Sequence, residues 1–327
     1  MIAILRNMVG TVALVVAFLF GNAVASAEPL VSAAWVQGYL GHANLVMLDV
    51  RSEKAFHAGH VEGSIHSAYP GNWRTFDPVA GSKLPRRAKF DLLMADLGIK
   101  RLSHVAIIAD TQRPGGAAKA AEVYFTLKYF GHSRVSIVNG GIRAIAARRL
   151  PLKSGASKVK TSLDIYSSRP NKLLLATFEN VFKSLATSQL IDARRNDEFV
   201  GMRKVRYVAR PGSIPGSLNL PFDQIIGADG EFLGEDAMSD LFSAIGAKKN
   251  GRTIIFGNSS REAALVWFAA YEVAGYRKTQ LYVGGVAEWA ANIAAPMVGR
   301  IELSKDRGLV PAAGRISNLM VRVARAG

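Results

Sequence analysis

The 327-residue sequence contains no cysteine. Thiolates serve proteins as nucleophiles and metal ligands, and two thiols can join in a disulfide. A chain without cysteine has no thiolate nucleophile of its own, no cysteine-bound metal and no disulfide. The absence says little about folding, because disulfides are chiefly a requirement of small exported domains.

Long apolar runs are also missing beyond the N-terminus. The first 27 residues contain Arg6, an apolar stretch at 8–20 and the small residues 25–27. This order is typical of a signal peptide, and the stretch is short for a bilayer span. We expect cleavage after Ala27 and a periplasmic or secreted mature chain; a retained N-terminal anchor is the alternative.

Acidic residues are in the minority. Lys and Arg number 41 against 25 Asp and Glu, which gives a formal net charge of +16. Such an excess favours anionic partners, so we expect a protein partner or a small anion. The basic tail at 299–327 has apolar residues at helical spacing, and it is expected to dock on a domain or to contact an anionic membrane surface. Nucleic acid is not expected, because no binding module for it is present.

One pattern occurs twice along the chain. An Asp-x-Arg motif stands at 49–51 and again at 192–194. A Gly-Gly pair stands at 140–141 and again at 284–285. Because the motifs keep their order and nearly the same separation, the sequence indicates an internal duplication.

Each copy has a short apolar run followed by a stretch with helical spacing. The runs at 105–109 and 253–256 suit strands buried on both faces of a parallel sheet. Residues 117–130 and 263–274 carry apolar residues at helical spacing. This alternation predicts an α/β fold. The expected division is a signal peptide at 1–27, an N-terminal domain at 28–153, a linker at 154–174, a C-terminal domain at 175–298 and a tail at 299–327.

Both copies resemble rhodanese domains, and the pair resembles the two-domain thiosulfate and 3-mercaptopyruvate sulfurtransferases. The resemblance rests on the Asp-x-Arg motifs, on Gly-x-Ile-Pro-Gly-x-x-Asn-x-Pro at 212–221 and on Gly-Gly-Val-x-Glu-Trp at 284–289. It implies two rhodanese-like domains, each a five-stranded parallel sheet flanked by helices, with the active loop in the second domain.

The resemblance also implies a site that has lost its chemistry. In the family a cysteine directly follows the strand expected at 253–256, and here that position holds Gly257. The matching position of the first copy holds Asp110. Asn258 and Ser259 replace the family's basic loop residues. Glu198 replaces a substrate-binding arginine, and its negative charge would repel an anionic substrate.

The polar residues after Gly257 fit the start of a helix. Ser259 or Ser260 would need a general base to act as a nucleophile, and all six histidines lie in the first copy. Ser259 and Glu262, with Arg261 between them, match a capping box in which the serine is the N-cap. We therefore predict no catalytic residue in this loop.

The remaining candidates are structural. Asp49 with Arg51, and Asp192 with Arg194, are expected to pair and hold the loops that follow their strands. No spacing typical of a metal site and no nucleotide-binding glycine motif is present, so no metal and no cofactor are expected. The expected function is an inactive rhodanese-like binding module. The alternative is a sulfurtransferase that uses a thiol supplied by a partner, so enzymatic activity stays an open question at this point.

Overall fold

The structure is a computed structural model that describes residues 27–77, 81–157, 161 and 166–299. The predicted signal peptide, apart from Ala27, and the predicted basic tail, apart from Gly299, lie outside these residues. Among the helices of the described part, none has the length and apolar content that a bilayer span requires.

The first copy is built on a five-stranded, all-parallel sheet. Its strand order is β1-β8-β7-β2-β4, and two antiparallel pairs, β3–β9 and β5–β6, lie outside it. The elements are β1 (Leu30–Val31), α1 (Ala33–Tyr39), β2 (Leu45–Asp49), α2 (Glu53–Ala58), β3 (His60–Val61), β4 (Ile65–His66), β5 (Thr75–Asp77), β6 (Gly81–Lys83), α3 (Arg87–Asp96), β7 (His104–Ile108), α4 (Pro114–Tyr129), β8 (Val135–Val138), α5 (Gly141–Ala147) and β9 (Leu152–Lys153).

The second copy repeats this sheet. Its strand order, β10-β14-β13-β11-β12, matches the first position by position, and all of its pairs are parallel. The expected fold of two flanked five-stranded parallel sheets is confirmed. The elements are β10 (Leu175–Ala176), α6 (Phe178–Lys183), β11 (Gln189–Asp192), α7 (Asn196–Phe199), β12 (Leu218–Asn219), α8 (Glu235–Ala244), β13 (Thr253–Phe256), α9 (Ser260–Phe268), β14 (Thr279–Tyr282) and α10 (Gly285–Ala291).

The register places the Asp-x-Arg motifs beside the loops that follow β7 and β13. Asp49 ends β2 opposite Ile108 of β7. Asp192 ends β11 opposite Phe256 of β13. Because parallel strands bring their carboxyl ends to one edge, each aspartate lies next to the loop that leaves the neighbouring strand.

The two copies meet along α4 and α9. Phe125 packs edge-on against Trp267 and Tyr124 edge-on against Phe268, each pair with ring centroids 4.8 Å apart. Such aromatic pairs contribute about 0.5–1.5 kcal/mol beyond the area they bury. One hydrophobic core cluster contains residues of both copies, so the two sheets are not independently packed bodies.

The end of the predicted linker packs on the first copy. His132 is 1% exposed, and its Nε2 donates to the Ser103 carbonyl at 3.0 Å. Its Nδ1 accepts from the Tyr166 hydroxyl at 2.9 Å, which fixes the tautomer. Burial lowers the pKa of His132 to about 4. The Arg169 N–H donates to the Phe130 carbonyl at 2.9 Å, so this part of the linker follows the surface of the domain.

Candidate functional site

The loop between β13 and α9 occupies the position of the expected active loop. It runs from Gly257 to Ser259 at the carboxyl edge of the second sheet. The Gly257 carbonyl accepts a hydrogen bond from the Val286 N–H of α10 at 2.8 Å. A Cβ atom at Gly257 would lie 3.0 Å from the Ser259 carbonyl oxygen, its nearest neighbour. A small side chain therefore fits after a slight shift, and the backbone does not require glycine here.

Carboxylates surround this loop. Glu198 is 6% exposed and accepts a hydrogen bond from Asn258 Nδ2 at 2.9 Å. Glu262 pairs with Arg261 at 2.5 Å, and its buried Oε2 has no hydrogen-bond partner in the described part of the chain. Burial raises the pKa of Tyr207, and the Glu262 and Glu198 carboxylates raise it further. These carboxylates disfavour a further negative charge in the loop.

The pair of Asp192 and Arg194 anchors the neighbouring loop. Arg194 Nη2 lies 2.6 Å from Asp192 Oδ2 and also donates to the Gly212 carbonyl at 2.8 Å. Ser213 Oγ donates to the same Asp192 oxygen at 2.6 Å. Both charged side chains are buried, and breaking such a pair costs about 3–5 kcal/mol. With its oxygens engaged in this way, the carboxylate ties the end of β11 to the loop that starts at Gly212.

The first copy repeats this anchor. Arg51 Nη2 lies 2.6 Å from Asp49 Oδ2 and donates to the Gly59 carbonyl at 2.7 Å. The Asp49 side chain is completely buried, whereas that of Arg51 is 10% exposed. Both pairs expected from the sequence form, and in both the arginine reaches a glycine carbonyl of the following loop.

The predicted capping box is wrong in its bonds. Ser259 is the N-cap of α9 and Glu262 is its third residue, but the Ser259 side chain makes no capping hydrogen bond. Glu262 turns instead to the neighbouring Arg261. A side-chain hydrogen bond joins Ser259 to Tyr207. Because Arg261 bonds Glu262 and Tyr207 bonds Ser259, neither side chain makes the hydrogen bond to the backbone that a capping box requires.

Ser260 has a partner that the sequence did not indicate. Its hydroxyl donates to the Glu122 carboxylate, which belongs to α4 of the other copy. Glu122 is completely buried and also accepts hydrogen bonds from the Tyr69 hydroxyl and from Arg74 Nε, the latter at 2.5 Å. Burial, and secondarily the Glu122 charge, raise the pKa of Tyr69 far above its usual value. The signal for this cluster in the sequence is Glu122, a single glutamate within an apolar helical stretch.

The matching edge of the first copy holds a cavity of about 410 Å³. Asp110, exposed at its mouth, stands where the second copy has Gly257. Arg51, Lys119 and Arg143 also line the cavity. Within the residues that the structure describes, no group of three or more His, Cys, Asp or Glu side chains is arranged to hold a metal ion. The sequence located Asp110 but gave no indication of open space around it.

Comparison with known proteins identifies the family. The family model of the rhodanese-like domain matches residues 32–148 and 177–292. The chain therefore belongs to the family of rhodanese-like domain proteins, and it carries two such domains.

Several relatives match over nearly their whole length and share a provisional name, thiosulfate sulfurtransferase. The one from Mycolicibacterium smegmatis is 26% identical over 287 residues, which cover 84% of this chain and 98% of the relative. The one from Mycobacterium tuberculosis H37Rv is 28% identical over 287 residues, with the same two coverages. The one from Haloferax volcanii is 26% identical over 284 residues, covering 83% and 96%.

Solved structures share the fold at low sequence identity. The crystal structure of YnjE superposes with a TM-score of 0.72 at 19% identity, covering 83% of this chain and 68% of that one. The anaerobic ergothioneine biosynthesis enzyme from Chlorobium limicola superposes with a TM-score of 0.70 at 18% identity, covering 83% and 70%. At these identities the likeness speaks for the fold alone.

Proposed function

We propose that this rhodanese-family protein is an exported, non-catalytic module that binds a partner protein or a small anion. The observation that carries the proposal is Gly257, which occupies the position of the family's cysteine in a chain that has no cysteine elsewhere. Sulfur transfer through a persulfide needs a thiolate that attacks the donor and carries its sulfur. A glycine supplies neither function.

The side chains around Gly257 support the same proposal. The Glu198 carboxylate is held beside Asn258, and Glu262 stands in the first turn of the following helix. A persulfide site must favour a negatively charged sulfur, whereas carboxylates this close oppose one. The loss therefore extends beyond one substitution.

The test is a thiosulfate:cyanide sulfur-transfer assay on the purified mature chain. We expect thiocyanate formation at the rate of the protein-free reaction, over a range of donor concentrations. A matched control is a two-domain relative that has the cysteine, assayed in the same buffer. Saturable, protein-dependent turnover by the cysteine-free chain would refute the proposal.

The second candidate function is a sulfurtransferase that works with a thiol from a partner. The provisional name of the relatives favours it. The same assay with added glutathione tests it, because a thiol that borrows this site should give turnover that needs both glutathione and the protein. Catalysis by glutathione alone, unchanged by the protein, would remove this candidate.

Export is proposed from the N-terminal sequence. Arg6, the apolar stretch and the small residues before Glu28 have the order of a signal peptide. After expression of the full chain in a bacterium with a periplasm, we expect a mature protein that begins at Glu28 and fractionates with the periplasm. An intact N-terminus in the cytosol would contradict export, and an intact N-terminus in the membrane fraction would point to the retained anchor.

A further inference from the structure

The cavity of the first copy opens at the carboxyl edge of its sheet. It has a volume of about 410 Å³ and lies where β2 and β7 end, against α2, α5 and the first turns of α4. Ligand sites of open parallel sheets lie at this edge. Volumes of about 300–1,000 Å³ are usual for small-molecule sites.

The charges that line the cavity are mainly positive. The Arg51 charge is balanced by Asp49, as described above. Lys119 is half-buried and Arg143 is exposed, and no ion pair of either is found within the described ranges. Arg143 Nη1 donates to Gln112 Oε1, and its other N–H groups stay available. Asp110 at the mouth is the carboxylate among the lining residues. Two cations that no carboxylate neutralises are available to one anionic group.

The helix α4 adds to this preference. It is 16 residues long and starts at the cavity, where Gly116 of its first turn is a lining residue. The dipole of a helix favours an anion at its start. Hydrogen bonds from the backbone add little here, because Pro114 has no N–H and the Gly116 N–H donates to the Arg113 carbonyl at 2.8 Å. A Cβ at position 116 would lie 1.6 Å from the Asp110 carbonyl oxygen, so this close approach requires glycine.

The floor of the cavity is apolar. Val50, Ala55, Ala109, Ile142 and Ala146 line it. Small aliphatic side chains leave space for a short hydrocarbon body next to the cations. The lining therefore fits an organic anion better than an inorganic one. Both would lose water on entering the cavity, but only the organic anion has an apolar part that packs against the aliphatic side chains.

The internal repeat shows how the matching positions of the two copies differ. Counting from Asp49 and Asp192, Ala55 matches Glu198, whose buried carboxylate accepts a hydrogen bond from Asn258. Counting from the Gly-Gly pairs, Arg143 matches Ala287. The first copy thus has space and a cation where the second has a carboxylate and a methyl group.

We propose that the cavity of the first copy binds a small organic anion, with a carboxylate or sulfonate group held by Lys119, Arg143 and the start of α4, and a short apolar body on its floor. This inference rests on the proposed function, of which it locates the anion-binding part. It assigns anion binding to the first domain, whereas the family's active loop lies in the second.

The experiment uses 4,4,4-trifluorobutanoate as the probe and ¹⁹F NMR titration of the mature chain as the readout. We expect saturable binding with a dissociation constant no weaker than about 10 mM at low salt, the range of a small fragment. The uncharged 4,4,4-trifluorobutanamide has the same shape, and we expect it to bind at least about tenfold more weakly, because charged hydrogen bonds contribute most of the affinity.

Variants locate the site. Ala55→Glu copies the second domain and should abolish binding. Lys119→Gln should weaken it about fivefold or more, and Asp110→Asn, which removes a like charge, should strengthen it about twofold to fivefold. Lys89→Gln is the matched control, since Lys89 is an exposed helix residue away from the cavity, and its affinity should equal that of the wild type. Thermal unfolding of each variant verifies that it is folded.

Each outcome separates the two proposals. Probe binding that Ala55→Glu and Lys119→Gln reduce, and Lys89→Gln does not, supports the cavity as the site. Absence of binding to the wild type, or binding that Ala55→Glu leaves intact, overturns it. Neither of these results affects the sulfur-transfer assay, which alone decides whether the chain is catalytic.

Discussion

At the scale of single residues, the electrostatic surroundings of Gly257 can be tested by introducing a thiol there. Gly257→Cys creates the one thiol of the chain, and its Cβ fits after a slight shift. Because Glu198 is held next to this position, we expect a thiol pKa above the usual value of about 8.5. Gly257→Cys with Glu198→Gln should lower that pKa by about one unit.

The measurement is the rate of alkylation by iodoacetamide as a function of pH. Ser154→Cys, at an exposed position, gives the reference for an ordinary thiol. A single variant that titrates like the reference, with no effect of Glu198→Gln, would show that the carboxylate does not influence the loop.

A buried histidine gives a second prediction at this scale. Burial in the fold lowers the pKa of His132 from its ordinary value of about 6.5 to about 4. Between these values the unfolded chain binds the extra proton, so the free energy of unfolding decreases as the pH falls. From pH 7 to about pH 5 the wild type should lose about 1–2 kcal/mol more than His132→Gln.

Urea unfolding at the two pH values measures this difference. His57→Gln is the control, because the His57 side chain is exposed. Equal losses in the wild type and in His132→Gln would mean that His132 is not held neutral by the fold.

The Asp-x-Arg pairs could be predicted from the sequence, but the contacts of the Gly257 loop only partly so. The Asp-x-Arg pairs follow from two motifs whose partners are two residues apart in sequence. The capping bonds of Ser259 and Glu262 do not form, because Tyr207 and Arg261 lie close to these side chains and take their place. A local pattern determines which bonds are available; the tertiary neighbours decide which of them form.

At the scale of secondary-structure elements, the contact between α4 and α9 contains a polar cluster that can be weakened selectively. Ser260→Ala removes one donor to the buried Glu122 and leaves Tyr69 and Arg74 in place. We expect a decrease of about 1.5–3 kcal/mol in the free energy of unfolding, the usual effect of losing one hydrogen bond to a charged group.

Denaturant unfolding with Ser154→Ala as the control measures this effect. The exposed Ser154 should change stability by less than about 0.5 kcal/mol. If both substitutions had the same small effect, the bond between the two copies would contribute nothing to stability.

The strands and helices themselves were well predicted. The apolar run at 253–256 is β13, and the helical spacing at 117–130 corresponds to α4 at Pro114–Tyr129. Continuous apolar runs and helical spacing are properties of one segment, so the sequence carries them locally. That Glu122 of one copy meets Ser260 of the other depends on how two helices pack, and no local pattern encodes it.

At the scale of the whole molecule, the shared core predicts one unfolding transition. Two domains with separate cores usually melt separately, but here Phe125 and Trp267 pack across the boundary. Differential scanning calorimetry should give a single peak with a ratio of calorimetric to van't Hoff enthalpy near one. Two resolved peaks would show that the copies unfold independently. Trp267→Ala is expected to lower the transition temperature, because it removes the contact with Phe125 and also the stacking of Trp267 on Tyr271 within the second copy.

The helix α4 has a further consequence, which concerns how this chain can evolve. Its first turns line the cavity of the first copy, and its middle carries Glu122, which bonds the residue that opens α9 behind Gly257. A substitution on this helix therefore acts on both halves of the duplication at once. We expect each half to restrict the changes that the other can tolerate. The Gly257 loop would then be restricted by its packing, whether or not it carries any chemistry.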